Sequence, residues 1–383
     1  MKFFIQRSIV LPLLAQALET CSASGKQHSY TDFLIDVSDG RLTVTSINNY
    51  AQQSIVAEVK NMDDGASASF TVIGKNLVDW LKQTQDEELE CTYNEKNHAL
   101  KIASTTRKMF YVFMTGNPEE FQPITFQPGK KTFSIPAVVL SQALGYTYPA
   151  TNKESSQRPF TAVKLVINND KLIAESTDRN RIAIYDCEIQ DTGIDNFEVL
   201  IPREVAESLS KIVSDVEFVT IRPCNRHVVF EWEDTEFVTS LETDEQNEFI
   251  SLKEFFDNPV VASCHISRED LIRSMKLAAL LDNDAEIYVT CDAEGLELKT
   301  VENEIGAGVD TLPAKDIEGS STGCLPLKHL QKAVESCDEA WITVSWSELS
   351  NGEIGCGIED GNGSLRFYVF PVISKDYEED IED

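Results

Sequence analysis

Basic residues are scarce in this sequence: 33 Lys plus Arg stand against 64 Asp plus Glu in 383 residues, a formal charge of -31. This imbalance excludes a nucleic-acid binder that works by bulk charge, because neutralising phosphates requires Lys and Arg. It does not exclude a protein that holds DNA by its shape. Hydrophobic residues make up 42% of the chain and charged residues 25%, which is typical of a folded globular protein.

Long apolar segments are also absent, since no run approaches the roughly 18 apolar residues that a membrane helix needs. The segment 1–21 has some features of a signal peptide, but Arg7 follows the first apolar residues, and Gln16 and Glu19 interrupt the apolar core. An amphipathic helix fits better, and its apolar face would consist of Ile9, Leu13, Leu14 and Leu18. We therefore expect a cytoplasmic protein that does not associate with membranes.

Metal and catalytic signatures are missing as well. The nine cysteines and five histidines are scattered, without a C-x-x-C pair or any other metal-ligand spacing, which is typical of reduced thiols packed in a core. The sequence has no Gly-rich phosphate loop and no G-x-S-x-G nucleophile motif. We expect no cofactor, no metal and no catalytic residue. An enzyme is therefore the least supported class of function, behind the two non-catalytic classes described below.

A repeat runs through the chain, in which a short β-type segment leads into a helix with an apolar stripe. It starts at residues 3, 70, 133, 198, 264 and 324, and the predicted helices cover 7–19, 74–84, 136–148, 203–213, 267–280 and 327–336. Alternating strands follow each helix and meet at Asx/Gly turns such as 38–40, 168–170 and 293–295, a pattern typical of antiparallel hairpins. The sequence therefore predicts an α+β fold built from six β-α-β-β(-β) units.

Two such units can share a core that one unit cannot enclose. This predicts three pseudo-repeated domains, at residues 1–131, 132–262 and 263–374, followed by an acidic tail at 375–383. Polar connections that contain Pro or Gly, near 129–130 and 259–263, support both boundaries.

Charge is unevenly distributed between the helices and the rest of the chain. The six predicted helices sum to +3, whereas the remaining residues sum to -34. One interpretation is that Lys and Arg are good helix formers on solvated faces. The other is that the six helices line one surface, near neutral or positive, on an acidic body that repels DNA elsewhere.

Six segments carry a family signature: 1–3, 110–121, 158–160 (Arg-Pro-Phe), 176–183 (Ser-Thr-Asp-Arg-Asn-Arg-Ile-Ala), 200–203 and 368–372. Their order resembles that of the bacterial-type β sliding clamps, the processivity subunits of replicative DNA polymerases, over residues 1–374. The resemblance implies a head-to-tail homodimer closed into a ring, with helices around duplex DNA and sheets outside. Such a ring is not an enzyme: it keeps a dissociated polymerase at high effective concentration near its template.

The resemblance also implies three sets of site residues and their partners. Sequence-independent contacts with duplex DNA would come from Lys26, Lys75, Lys82, Lys153, Arg158, Arg203, Lys211, Arg273, Lys276 and Lys332. The polymerase and the clamp loader would insert short apolar peptides into a pocket of Thr177, Arg179, Asn180, Arg181, Ile182, Val369, Phe370, Pro371 and Val372. The dimer interface would include Phe110, Val112, Leu280 and Leu281.

One departure from the family concerns this pocket, because Arg179-Asn180 stands where family members usually have Gly-His. The altered pocket and the charge of -31 motivate an alternative function, a clamp-fold scaffold for protein interactions that does not encircle DNA.

Overall fold

The computed structural model describes residues 1–21, 28–60, 65–127, 129–155, 157–194, 196–241 and 252–372. Within these ranges the chain runs six times through a strand, an α-helix and three further strands. Each helix begins and ends within one residue of its predicted span. The predicted α+β class and the repeated unit are confirmed.

The first three repeats share this order of elements. The first contains β1 (Lys2–Gln6), α1 (Arg7–Thr20), β2 (Asp32–Ser38), β3 (Arg41–Ile47) and β4 (Ala51–Glu58). The second contains β5 (Ala68–Ile73), α2 (Gly74–Gln83), β6 (Glu88–Asn94), β7 (Ala99–Ser104) and β8 (Phe110–Met114). The third contains β9 (Phe133–Pro136), α3 (Ala137–Thr147), β10 (Ala162–Asn168), β11 (Lys171–Thr177) and β12 (Arg181–Glu188).

The last three repeats differ only by one additional strand. The fourth contains β13 (Phe197–Pro202), α4 (Arg203–Ile212), β14 (Phe218–Pro223), β15 (His227–Trp232) and β16 (Thr235–Ser240). The fifth contains β17 (Val260–Ser267), α5 (Arg268–Ala279), β18 (Glu286–Asp292), β19 (Gly295–Thr300), β20 (Val309–Leu312) and the extra β21 (Ala314–Gly319). The sixth contains β22 (Ser321–Pro326), α6 (Leu327–Ser336), β23 (Trp341–Glu348), β24 (Ile354–Asp360) and β25 (Leu365–Val369).

Packing divides the chain into two compact units, residues 1–141 with 207–241 and residues 142–206 with 242–383. The first unit holds an antiparallel sheet of order β1-β6-β7-β8 and one of order β5-β2-β3-β4-β16-β15-β14-β9. The second unit holds the sheets β13-β10-β11-β12-β25-β24-β23-β17-β21 and β20-β19-β18-β22. Sheets thus continue across both predicted domain boundaries, through the pairs β4/β16 and β12/β25, and the boundaries themselves stay predictions.

The hairpin turns lie where the Asx/Gly pattern predicted them. At the β2–β3 turn, Asp39 and Gly40 have φ values of 49° and 74°, and at the β10–β11 turn Asn169 has a φ of 50°. Such positive values favour Gly, Asn and Asp, which explains why these residue types predicted the turns.

The predicted apolar face of α1 is partly wrong. Val10, Leu14 and Ala17 are its buried apolar residues, whereas Ile9 is 47% exposed. The reason is packing, because α1 lies against β3 and β4 on one side and against α2 on another. The helix is therefore rotated relative to the face that periodicity alone suggested.

Candidate functional site

Six of the predicted DNA-contacting residues are exposed on the helices. They are Lys75 and Lys82 on α2, Lys211 on α4, Arg273 and Lys276 on α5, and Lys332 on α6. Among the predicted loop cations, Lys153 is exposed, Lys26 lies outside the described residues, and only the backbone of Arg158 is described, at the start of a short 3-10 helix.

Four of these helical cations pair with a carboxylate on their own helix. The ammonium of Lys75 lies 2.7 Å from Asp79 Oδ2 and lowers the pKa of that carboxyl. Equivalent pairs join Lys211 to Glu207 at 3.2 Å, Arg273 to Glu269 at 3.1 Å, and Lys332 to Glu335 at 3.4 Å. Exposed pairs on one helix contribute little to stability because solvent screens them, so a phosphate can replace the carboxylate at little cost.

Lys82 and Lys276 differ from the other four. Each lies in the last turn of its helix, and neither forms a salt bridge with any residue in the described ranges. The helix dipole favours a cation at that end. These two lysines therefore present the least compensated positive charge among the six helical candidates.

Arg203, also predicted to contact DNA, is instead used inside the protein. Its Nη1 donates hydrogen bonds to the carbonyl oxygens of Tyr148 and Thr151 at 2.7 and 3.0 Å, and to Thr151 Oγ1 at 2.6 Å. The guanidinium also lies 5.3 Å from the centroid of the Tyr148 ring. Because these partners directly follow α3, the half-buried Arg203 closes the end of that helix, and we remove it from the DNA-contacting set.

Arg7 and Arg268 make the same connection in the other two helix pairs. Arg7 begins α1, and its Nε donates to the carbonyl oxygen of Leu81 in α2 at 2.8 Å. Arg268 begins α5 and donates to the carbonyl oxygens of Val334 and Glu335 in α6 at 3.1 and 2.9 Å. Carbonyls at a helix end lack partners within the helix, and these arginines supply them.

Sequence reasoning missed this role, although a signal was present. Each of the three arginines is the first residue of its helix. A cation there is unfavourable for the dipole of its own helix, so its position indicates an acceptor elsewhere. The sum of charges over the six predicted helices treated all three arginines as surface charge.

The two predicted partner-binding segments are brought together by adjacent strands. In the β12/β25 ladder, Arg181 pairs with Val369 and Ile182 with Tyr368. One residue further, the backbone N–H of Phe370 donates to the carbonyl oxygen of Asn180 at 3.0 Å.

Several residues of this predicted pocket are internal, which corrects their assignment as lining residues. Ile182 is 1% exposed and Val369 is fully buried, so both belong to the core. Thr177 donates through Oγ1 to the carbonyl oxygen of Arg181 at 2.7 Å and thereby closes the β11–β12 turn. Because Ile182 pairs with Tyr368 and Val369 with Arg181, the two buried side chains lie on opposite faces of the sheet, and Ile182 packs beneath the Phe370 ring.

Arg181 is also occupied within the protein. Its Nε donates to Asp178 Oδ2 at 3.0 Å, and its Nη2 donates to the carbonyl oxygen of Pro149 at 2.6 Å. Nearby, burial first and then the charge of Arg181 lower the pKa of His329 on α6. Little of the Arg181 charge is therefore available to a ligand.

The accessible part of the pocket combines polar and aromatic groups. Arg179 and Asn180 are exposed, and Phe370, Pro371 and Val372 are half-buried. The Phe370 ring packs edge-on against Tyr368 and Phe255, with centroids 5.2 and 5.3 Å away. Phe255 belongs to the short 3-10 helix Lys253–Asp257 and was missed from the sequence, where the pair Phe255-Phe256 was its only signal.

The predicted dimer residues lie mainly on open surfaces. Phe110 and Val112 are 58% and 52% exposed on β8, an edge strand of the first unit. Leu280, just after α5, is 78% exposed, whereas Leu281 is half-buried. Exposed Ile305 and Val309 lie on the same unit as Leu280, beside and on the edge strand β20.

Two further features bear on function. In the part of the chain that the structure describes, no helix is long and apolar enough to cross a membrane. Within the same part, no three His, Cys, Asp or Glu residues are grouped so that they could hold a metal ion.

Comparison with known proteins gives consistent matches. Residues 1–124 match the family model of the DNA polymerase III beta subunit, N-terminal domain, and residues 134–244 match the model of its central domain. The beta sliding clamp of Staphylococcus epidermidis is 21% identical over 358 residues, which cover 90% of this chain and 93% of that protein.

Solved structures show the same fold. The DNA polymerase III beta subunit of Thermotoga maritima superposes with a TM-score of 0.86 at 17% identity, over 97% of this chain and 99% of that one. The sliding clamp of Pseudomonas aeruginosa bound to griselimycin gives a TM-score of 0.85 at 16% identity, over 98% of this chain and 100% of that one.

Proposed function

This chain belongs to the DNA polymerase III beta subunit family of sliding clamps, and from that membership we propose how it encloses DNA and holds its partners. Its function is that of a DNA sliding clamp, which encircles duplex DNA and tethers the replicative polymerase. Tethering needs no catalysis, because a polymerase that dissociates rebinds at high effective concentration. The proposal covers the assembly, the DNA contacts and the partner site.

The proposed assembly rests on one observation, namely two edge strands whose counterparts in the other repeats are paired. The last strand of the first repeat, β4, pairs with the last strand of the fourth, β16. In the same way, β12, the last strand of the third repeat, pairs with β25, the last strand of the sixth repeat. The corresponding strands of the fifth and second repeats, β20 and β8, are free edges of four-stranded sheets.

We infer that β20 of one chain pairs with β8 of a second chain. Each such joint would complete an eight-stranded sheet of the order seen within the first unit. Because the two surfaces differ, the contact is head to tail, and a head-to-tail contact that closes generates a ring. Two chains with three domains each would then form the homodimer expected for a clamp.

Surface chemistry supports this contact. The proposed joint would cover the exposed Phe110 and Val112 on β8 together with Leu280 and Val309 on the other chain. An exposed apolar edge strand that stays uncovered is an aggregation hazard. Charges are also complementary, since Lys101 and Lys108 adjoin β8 and the exposed Glu302 and Glu304 precede β20.

DNA would be held mainly by enclosure and only weakly by charge. The proposed contacts are Lys75, Lys82, Lys211, Arg273, Lys276 and Lys332, with the loop residues Lys26, Lys153 and Arg158. Contacts with phosphates carry no sequence information, so the ring can slide. The polymerase and the clamp loader would dock apolar peptides on the accessible residues around Phe370, outside the enclosed path of the DNA.

Retention on DNA tests this function against a scaffold that does not encircle DNA. The protein should stay on nicked circular DNA after loading by a cognate loader and should be lost when that DNA is linearised. A scaffold would show no dependence on the topology of the DNA. Solution mass of the free protein, measured in parallel, should equal two chains.

A further inference from the structure

Arg179 has a backbone conformation that residues other than glycine rarely adopt. It lies in the β11–β12 turn with a φ of 79°, in the left-handed region that glycine adopts most easily. Side chains of neighbouring residues hold the turn: Thr177 Oγ1 accepts from the N–H of Arg179 at 3.1 Å, and Asp178 Oδ1 accepts from the N–H of Asn180 at 3.0 Å. A long side chain kept at a strained position suggests a function for that side chain.

The guanidinium of Arg179 contacts two neighbouring side chains although it is exposed. It lies 4.5 Å from the centroid of the Phe160 ring, in cation–π geometry, and Nη2 donates a hydrogen bond to Gln157 Oε1. Stacking on an aromatic ring reduces the entropy that a ligand contact would cost, because the planar donor group is already placed.

The charge of Arg179 has no counterion among the residues that the structure describes. The guanidinium contacts an aromatic ring and a neutral amide, and none of the described carboxylates lies within 4.0 Å of it. Arg181, two residues later, contrasts with it, because Asp178 neutralises that side chain. Arg179 is therefore the cation at this site that remains available to an incoming anion.

An apolar surface adjoins this cation. Asn180, the next residue, accepts the backbone hydrogen bond of Phe370, whose half-buried ring packs edge-on against Phe255. A peptide side chain that reaches the Phe370 ring would thus bring its neighbouring residues close to Arg179. Apolar surface with one fixed polar group is the usual composition of a specific small site.

We propose that Arg179 selects partner peptides that carry a carboxylate next to their apolar anchor. The inference rests on the proposed partner site and names the class of peptide that the site prefers. A guanidinium with free N–H groups binds a carboxylate through charge-assisted hydrogen bonds, which are about twice as strong as neutral ones.

The test uses the full chain and two synthetic peptides with blocked ends. Both carry a Leu-Phe pair, and they differ only in having Glu or Gln beside it, with the position scanned along the peptide. Fluorescence anisotropy should show that wild type binds the Glu peptide about tenfold more tightly at low salt. High salt should reduce that ratio.

Three variants separate charge from shape. Arg179→Gly should bind both peptides equally, with the affinity of wild type for the Gln peptide. Arg179→Lys should keep part of the preference, because it retains a charge without the stacked, forked donor. Lys299→Ala, which removes an exposed lysine from β19, is the matched control and should keep the full preference.

Two outcomes would overturn the inference while leaving the partner site in place. One is equal affinity of wild type for the two peptides at every position and salt concentration. The other is tighter binding of both peptides by Arg179→Gly, which would make Arg179 an obstruction. Failure of all proteins to bind either peptide would overturn the partner site itself, and the inference with it.

Discussion

The guanidinium of Arg268, the first residue of α5, donates from Nε to the carbonyl oxygen of Val334 in the last turns of α6 at 3.1 Å. A second bond, from Nη2 to the carbonyl oxygen of Glu335, measures 2.9 Å. Arg7 and Arg203 make corresponding bonds in the other two helix pairs. The three pseudo-equivalent pairs therefore share one tie between the start of one helix and the end of its neighbour.

Removing this tie should destabilise the fold. Arg268→Ala removes the charged donor shared by the carbonyl oxygens of Val334 and Glu335 and leaves Val334 only the N–H of Cys337 at 3.3 Å. We expect it to lower the free energy of unfolding by about 1–3 kcal/mol. Urea denaturation followed by circular dichroism measures the change. Lys276→Ala, an exposed substitution on the same helix, should cost less than about 0.5 kcal/mol. Equal costs for both variants would mean that the tie contributes nothing.

Sequence reasoning placed the six helices well because local signals specify them. Apolar periodicity and Asx/Gly turns are short-range features, and Asp39 and Asn169 adopt the backbone angles that their residue types favour. It could not place Arg203 or Ile182, because their roles depend on partners far along the chain, at Tyr148 and Tyr368. Whether a side chain is exposed where two repeats pair their strands depends on the tertiary structure. The local pattern of apolar residues does not predict it.

The proposed dimer contact predicts a monomer from one surface substitution. Leu280→Asp places a charge where the second chain would cover an apolar side chain, and burial of an unpaired charge is strongly unfavourable. Leu280 is 78% exposed in the single chain, so folding itself should be unaffected. Light scattering should give the mass of one chain. Val138→Asp, at an exposed residue of α3, should leave the dimer mass unchanged.

The existing sheet joints also predict the register of the missing one. Ser54 faces Glu236 in the β4/β16 joint, and Ile184 faces Arg366 in the β12/β25 joint. The equivalent positions in the fifth and second repeats are found by starting in the first strand after the helix and crossing the two strand pairings that follow. They are Val309 on β20 and Phe110 on β8. These two residues should therefore face each other across the dimer contact.

Oxidative cross-linking tests this register. A chain with both Phe110→Cys and Val309→Cys should form disulfide-linked species of two chains on a denaturing gel, since directly opposed Cβ atoms lie about 4.5–5.5 Å apart. Replacing Phe110→Cys with Met114→Cys moves one thiol roughly 13 Å along the strand and should abolish the cross-link. Preferential cross-linking of the Met114 variant would show that our register is wrong.

Reversal of the two least compensated helical lysines should weaken DNA retention. Lys82→Glu with Lys276→Glu replaces two phosphate contacts with repulsion, so loading on nicked circular DNA should fall and become less sensitive to salt. The dimer mass should not change. Lys60→Glu with Lys299→Glu alters the net charge equally at exposed positions outside the helices, and it should load like wild type. Equal loss in both double variants would attribute the effect to total charge instead.

The lowered pKa of His329 predicts a specific loss of stability in mild acid. Burial, then Arg181, lower that pKa in the folded chain, Asp178 opposes the shift, and Lys328 adds slightly to it. The unfolded chain therefore binds a proton more readily than the folded chain below about pH 6.5, the ordinary value of a histidine. By linkage, stability from this group is fully present above that pH and is lost as the pH falls through the folded-state value.

Urea midpoints measured between neutral pH and mild acid should fall more steeply for wild type than for His329→Gln, which cannot take up the proton. His227, whose pKa burial also lowers, remains in both proteins and should leave a residual slope in the variant. The comparison therefore concerns the difference between the two slopes and not their absolute size. Parallel curves for wild type and His329→Gln would mean that His329 binds protons equally well in the folded and unfolded chains.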